Sequence, residues 1–394
     1  MRGNRKGPTR RSEYPRGSEY LSPGGHRRRS ARMRIVQLVE TLETGGLERI
    51  AVDLALAQKR AGHSPMLYCM FTGGPLADDA RTAGIPVTEF HKKQGFSVKM
   101  LFRLARQLRR DAADVVHTHN PGVHHYGAIS AWMARVPAVV NTRHGPATSF
   151  GRAYQERYFR AVMPLTDRVV FVCEDSRRYL VEQRGLVSGK SAVILNGIEL
   201  GGFLEKPAAP MSASPRVRFG AVGRMVPVKA HSILIHAFAQ LSGKLPNAEL
   251  RIVGGGPLAD ELKEQARKVG LDGRIRIEGL NHHIADVLQE LDIFVMSSTS
   301  EGLPLVILEA MAAGLPVVST RIGGVSEVAP EGDVSVLCRP GSASDLAEAM
   351  YKAATSCDLA CMGKKAREIA IAKFSIDQMW RSYQAVYAEA LGRN

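Results

Sequence analysis

The run Arg34-Ile35-Val36-Gln37-Leu38-Val39, followed after a short gap by Thr44-Gly45-Gly46-Leu47-Glu48, sets the fold. An apolar β-branched run leads into two glycines. An amphipathic pattern then continues over 47–61, so the unit reads strand, glycine turn, helix. Glycine permits close backbone approach to a ligand, and a helix start favours an anion. Alone, the pair is also what any tight turn of this kind would show.

The same unit recurs along the chain. Strands are predicted at 34–39, 66–71, 114–118, 138–142, 168–172 and 192–195, with helices between, one of them over 98–110. After residue 215 the pattern restarts, with strands at 216–222, 249–253, 274–278, 292–296, 316–319 and 334–337. Nearly continuous apolar strands suit parallel sheets covered on both faces, and strand–helix alternation makes them doubly wound. The fold class is therefore α/β with two Rossmann-like halves. The segment 207–215, rich in Pro, Ala and Ser, reads as a linker. The expected domains are 33–206 and 216–374, with a last helix in 375–394. Ligands of such sheets bind beyond the carboxyl ends of the strands, so the chemistry is expected between the halves.

Charge divides as unevenly as structure. The 394 residues carry a net +15, but residues 1–32 hold ten basic groups against two acids. The other 362 carry 43 against 36. The arm has too little apolar content to offset its ordering entropy and is expected to be disordered. Arg10-Arg11 lacks the apolar stretch of an export signal, and Met33 is the expected native start. Nucleic acid is not an expected partner of the body, although binding through the arm is a competing reading. No stretch of 18 apolar residues occurs. Five scattered cysteines (Cys69, Cys173, Cys338, Cys357, Cys361) without CxxC are expected to be reduced and packed, in a cytoplasmic protein.

Four segments at strand ends carry chemistry. Gly223-Arg224-Met225-Val226-Pro227-Val228-Lys229 puts a guanidinium and an ammonium on one loop, suited to a diphosphate and to the charge that develops as it leaves. Glu301-Gly302-Leu303-Pro304-Leu305-Val306-Ile307-Leu308-Glu309 starts a helix at Pro304 and buries Glu309 among apolar neighbours, where it needs partners such as ribose hydroxyls. His117-Thr118-His119 ends a strand. His119, at the tip, is the candidate for substrate contact and His117 a structural residue; two histidines without a third ligand do not make a metal site. Arg143-His144-Gly145 closes the next strand similarly. Val253-Gly254-Gly255-Gly256-Pro257-Leu258-Ala259 matches a dinucleotide fingerprint, with Glu278 as its ribose acid and Pro257 opening a helix, though it follows no first strand. No DxD occurs, so a metal–diphosphate site of that type is not expected.

In order, Gly45-Gly46-Leu47-Glu48, His117-Thr118-His119, Asn196-Gly197-Ile198-Glu199, Gly223–Lys229, Gly254-Gly255-Gly256-Pro257 and the Glu301/Glu309 pair resemble the retaining glycosyltransferases of family 4. The resemblance spans residue 33 to about 390 and implies a GT-B fold, whose last helix crosses back onto the first domain. It implies donor binding by Gly45, Gly46, Arg224, Lys229, Gly255, Glu301, Gly302, Leu303 and Glu309. Glu309 would hold the ribose, and Glu301 with the Gly302 and Leu303 backbone the sugar. Catalytic roles fall to His119, Arg224, Lys229 and Glu301, and acceptor binding to His119, Arg143 and His144. The family needs no metal and no cofactor beyond the nucleotide-diphosphate-sugar donor, and keeps the anomeric configuration. Ala230 replaces the family's usual glycine. A nucleotide-sugar 2-epimerase of the same fold is the alternative enzyme.

Finally, Lys99, Arg103, Arg106 and Arg110 recur on one face of the 98–110 helix, with Lys92 and Lys93 just before. Such a stripe is suited to an anionic lipid surface, so peripheral contact with the inner membrane face and a glycan or lipid-linked acceptor are expected.

Overall fold

The computed structural model describes residues 32–145, 153–183, 185, 188–204, 216–281, 283–356 and 358–392. The basic arm and the 207–215 linker lie outside them, apart from Arg32. The first sheet is built from β1 (Arg34–Val39), β2 (Ser64–Cys69), β3 (Val87–Glu89), β4 (Val115–His119), β5 (Ala138–Arg143), β6 (Arg168–Phe171) and β7 (Ser191–Val193), in the order β3-β2-β1-β4-β5-β6-β7. The second comprises β8 (Arg218–Val222), β9 (Glu249–Val253), β10 (Ile275–Glu278), β11 (Ile293–Met296), β12 (Val317–Thr320) and β13 (Ser335–Cys338), ordered β10-β9-β8-β11-β12-β13. Every strand pairing is parallel.

Both sheets reverse direction of winding beside their first strand, between β1 and β4 and between β8 and β11. These switch points are where an open parallel sheet leaves a crevice. The loops there carry the two glycines after β1, His119 at the end of β4, the Arg224/Lys229 loop after β8 and the Glu301 loop after β11. Topology thus brings together the motifs that sequence order keeps up to 260 residues apart.

The C-terminal helix (Ile376–Ala390) crosses back onto the first sheet. Ile376, Met379, Trp380, Tyr383, Val386 and Tyr387 bury themselves with Ile35, Leu54, Val115 and Val140. The crossing is anchored at the Asn-Gly-Ile motif. Ile198 N–H donates to Phe374 O (2.8 Å) and Ile376 N–H to Ile198 O (2.9 Å). A Cβ on Gly197 would stand 2.6 Å from Ser375 O, so only glycine fits. Asn196 donates to Leu303 O at 2.8 Å, which ties this crossing to the Glu301 loop.

Several expectations need correction. The second strand starts at Ser64, two residues before 66, and the short β3 was missed because three half-buried residues give no readable period. The helix after the triple glycine begins at Ala259, not Pro257, because Leu258 N–H first returns to Met225 O (3.2 Å). Pro304 caps its helix instead of opening it: the helix is Leu305–Ala312. Cys69 and Cys173 are buried, but Cys361 is exposed and does not pack; Cys357 lies outside the described residues.

Candidate active site

The Arg224/Lys229 loop is held from behind by the triple glycine. Met225 N–H donates to Gly255 O (2.8 Å) and Gly223 N–H to Val253 O (3.0 Å). Gly254 and Gly256 both have positive φ, +155° and +153°. A Cβ on Gly254 would lie 2.0 Å from Gly223 O, and one on Gly256 2.5 Å from Met225 O. The fingerprint-like glycines therefore let two backbones touch, and Gly255 reaches the site through its carbonyl. Glu278, the acid a dinucleotide would need, ends the neighbouring strand but is paired to Arg251 by two 2.8 Å bonds, so the dinucleotide reading fails.

Arg224 is exposed, and Lys229 ends a 3₁₀ turn (Pro227–Lys229). Lys229 Nζ lies 2.6 Å from Glu301 Oε1. That oxygen makes no hydrogen bond of good angle, so the contact is an ion pair only. Lys229 and Glu301, expected to hold different parts of one donor, thus hold each other. Behind Glu301, Gly323 and Gly324 support the loop: Gly324 N–H donates to Gly302 O at 2.8 Å. In front, Gly302 meets the first sheet, since a Cβ there would stand 2.2 Å from His144 O. The Leu303 side chain is buried, which leaves its backbone as the part able to meet a ligand.

Glu309 projects from the Leu305–Ala312 helix toward the first helix (Gly46–Arg60). Burial pushes its carboxyl up to about 7, against an opposing pull from Arg49 and a further push from Asp53. Arg49 is itself paired to Asp53 at 2.9 Å. Gly46 stands over the start of the same Leu305–Ala312 helix, where a Cβ would be 3.8 Å from Leu305 Cδ1. At Gly45 the absent Cβ leaves room for the Glu48 carboxylate, which would otherwise be 2.2 Å away. Burial raises the Glu48 carboxyl above its usual range, offset in part by a backbone N–H and by Arg224 from the opposite half.

On the first-sheet side a cavity of about 270 Å³ is walled by Glu40, Glu48, His119, Asn120, Arg143 and Gln155, among others. His119 is only 1% exposed, and both ring nitrogens are engaged: Nδ1 with His144 Nε2 and Nε2 with Gln37 Oε1, each at 2.8 Å. Arg143 is also buried, paired to Glu156 (3.1 Å) and lying over Phe159. His144 is half-buried, stacks on His119 and takes Asn120 Oδ1 on its backbone N–H at 2.9 Å. His117 is fully buried between Tyr387 and Thr142, the structural role expected.

The structure thus brings the Gly45-Gly46 turn, His119, Arg143 and His144 of the first half close to the Arg224–Lys229, Glu301–Leu303 and Glu309 segments of the second, and of these His119 and Arg143 line the cavity. Sequence reasoning missed Arg49, Asp53, Gln37, Glu40 and Tyr387, because their signal is three-dimensional. Arg49 and Asp53 look like an ordinary (i, i+4) surface pair.

A family model described as Glycosyltransferase Family 4 matches residues 44–201, and one described as Glycosyl transferases group 1 matches residues 216–356. The chain belongs to this glycosyltransferase family. It is 27% identical over 309 residues to the putative glycosyltransferase EpsF of Bacillus subtilis, covering 73% of this chain and 79% of that one. It is 28% identical to an Escherichia coli UDP-Gal:α-D-GlcNAc-diphosphoundecaprenol α-1,3-galactosyltransferase, over 58% of this chain and 62% of the other. In fold it is similar to Anabaena Alr3699/HepE solved with UDP, at TM-score 0.79 and 22% identity, with 91% of this chain and all of that one aligned. The two parallel sheets with the returning helix are the GT-B arrangement.

Proposed function

We propose that the protein transfers a sugar from a nucleotide-diphosphate-sugar to a glycan or lipid-linked acceptor, with retention of configuration and without a metal, in cell-surface polysaccharide or glycolipid synthesis. The observation that carries this reading is the convergence of Arg224, Lys229, Glu301 and Glu309 on the second sheet's switch point, opposite a cavity on the first. Arg224 and Lys229 supply two positive charges for a diphosphate and for the charge released on it at bond cleavage. Glu309 accepts from the two ribose hydroxyls. Glu301, released from Lys229 as the diphosphate takes the ammonium, accepts from the sugar hydroxyls together with the Gly302 and Leu303 backbone. The acceptor enters over the cavity beside His119, Arg143 and His144. Its hydroxyl attacks from the face the leaving phosphate occupies, and that phosphate oxygen takes its proton. Closing the halves over this centre keeps water from the activated sugar. The domains 33–206 and 216–374, with the 375–394 helix, are the units of that closure.

Docking at the inner face of the membrane, from the cytoplasmic side, belongs to the same reading. No helix among the described residues is long and apolar enough to cross a membrane. In the helix Val98–Arg110, Met100, Leu104 and Leu108 are buried while Lys99, Arg103, Arg106 and Arg110 are exposed. Phe96, Val98 and Phe102 are each more than half exposed beside them. Apolar side chains flanked by cations are what an anionic lipid surface takes up.

The test is product analysis with radiolabelled donor and a panel of glycan and lipid-linked acceptors. Label passing to an acceptor with its anomeric configuration kept, in the presence of a chelator, is expected. Label recovered only as an epimerised nucleotide sugar would move the assignment to the 2-epimerase.

A further inference from the structure

Gln37 sits in the middle of β1, fully buried, and no sequence motif points to it. Its side chain joins two systems. Oε1 lies 2.8 Å from His119 Nε2, and Nε2 donates to the Tyr387 hydroxyl at 3.3 Å. An amide oxygen only accepts and an amide nitrogen only donates, which gives the whole chain a direction.

Toward the cleft, His119 must carry its proton on Nε2 to donate to Gln37. Burial pushes the pKa values of His117, His119 and His144 down, that of His144 to about 3, so all three are neutral with one ring proton each. His119 Nδ1 is then a lone pair, and His144 donates to it from Nε2 over 2.8 Å. This leaves His144 Nδ1 as an acceptor, and no described residue bonds it. Away from the cleft, the Tyr387 hydroxyl accepts from Gln37 and from Gln58 Nε2 (3.4 Å), so its one proton goes to His117 Nδ1 at 2.7 Å. His117 Nε2 donates to Thr142 Oγ1 at 2.7 Å, and Thr142 to the Tyr383 hydroxyl at 3.0 Å. One file of hydrogen bonds thus runs from the C-terminal helix through the first sheet to the cleft. Turning the Gln37 amide over would reverse every donor along it and make His144 Nδ1 a donor.

We infer that Gln37, oriented by Tyr387 of the C-terminal helix, is a positioning residue that holds His144 in its Nε2–H tautomer, so that Nδ1 accepts from a hydroxyl of the sugar acceptor. His144 is the ring placed for this task, since its carbonyl abuts Gly302 and its backbone is held by Asn120 of the cavity wall. His119, with both nitrogens used, transmits the orientation. The identity of the hydroxyl rests on the transferase reading; the tautomer does not.

The experiment is a long-range proton–nitrogen correlation spectrum of the full chain labelled with nitrogen-15 on histidine, with His144→Asn to assign the signal. Expected in the wild type are Nε2–H tautomers for His119 and His144, neutral from pH 6 to 8. An Nδ1–H or doubly protonated His144 would overturn the inference, and this spectrum needs no turnover. In Tyr387→Phe the amide loses its acceptor, so His119 and His144 should show a second set of signals in the Nδ1–H form. With a donor and acceptor in hand, kcat should fall about tenfold, the worth of one hydrogen bond, at unchanged KM for the nucleotide sugar. Unchanged tautomer signals, or unchanged kcat, in this variant would contradict the positioning role.

Discussion

Glu309 carries the sharpest expectation at the scale of one residue. Its carboxyl sits near 7 where the usual value is 4.5, and burial is the first cause. Below 4.5 the group is protonated in folded and unfolded chains alike. As pH rises from there toward 7 only the unfolded chain ionises, so the folded state loses stability across that window. The full loss, present above 7, is on the order of 3 kcal/mol as an upper bound. Glu309→Gln should therefore raise the unfolding midpoint at pH 8 and leave it nearly unchanged at pH 4, as read by thermal melts. The same variant should bind nucleoside diphosphate about 10- to 100-fold more weakly, since hydrogen bonds to a charged group are worth about 1.5–3 kcal/mol. In the wild type, nucleotide binding at pH 6 should release a proton, seen as a buffer-dependent heat in calorimetry. Buffer-independent heat there would deny Glu309 its role as the ionised ribose partner.

At the scale of elements, the loops are set by glycines with mechanical reasons. Gly254→Ala would force a Cβ against Gly223 O and push the Arg224/Lys229 loop forward. The expected result is a tenfold or greater loss of nucleotide affinity in a chain whose circular dichroism is unchanged. Ala230 is the opposite case. It lies in the left-handed region at φ +49°, a torsion that costs alanine about 1 kcal/mol and glycine nothing. Ala230→Gly should gain up to about 1 kcal/mol, less the entropy glycine adds to the unfolded chain. The family's usual glycine at this position follows from that torsion.

The same elements show what the sequence could and could not say. Alternation of apolar runs with amphipathic ones made both sheets and nearly all their strands legible, because a buried parallel strand leaves an unbroken apolar signature. Strand–loop junctions carrying Gly223, Arg224, Glu301 and His119 were legible because chemistry concentrates there. The pairing of Lys229 with Glu301, the approach of Arg49 to Glu309 and the burial of both His119 nitrogens were not. Each depends on residues that the fold brings together from separate strands and helices, at separations no local pattern encodes. The triple glycine misled for a related reason: its spacing imitates a phosphate loop, while its torsions serve backbone contact.

At the scale of the whole molecule, two sheets meet through their switch points and one helix crosses between them. Tyr383 and Tyr387 lie on that helix and reach the first sheet, Tyr387 bonding the buried His117 and Tyr383 bonding Thr142. Removing 375–394 should cost folding of the first half as well as activity, because it uncovers Ile35, Val115 and Val140. The surface of the first half makes a further prediction. Lys99→Glu with Arg106→Glu should abolish flotation with vesicles of anionic lipid and spare turnover of a water-soluble acceptor. Equal flotation on anionic and zwitterionic vesicles by the wild type would remove the membrane from the account.

The central claim is that the cleft holds a nucleotide-diphosphate-sugar through Arg224, Lys229, Glu301 and Glu309. Titration calorimetry with UDP, GDP and ADP and their sugars tests it directly, with Lys229→Ala and Glu309→Ala as controls. One nucleotide should bind the wild type one to one and raise its melting temperature by mass action, and both variants, still folded, should lose that binding and all turnover. Wild-type affinity or full activity in either folded variant, or no binding of any nucleotide to the wild type, would contradict the account.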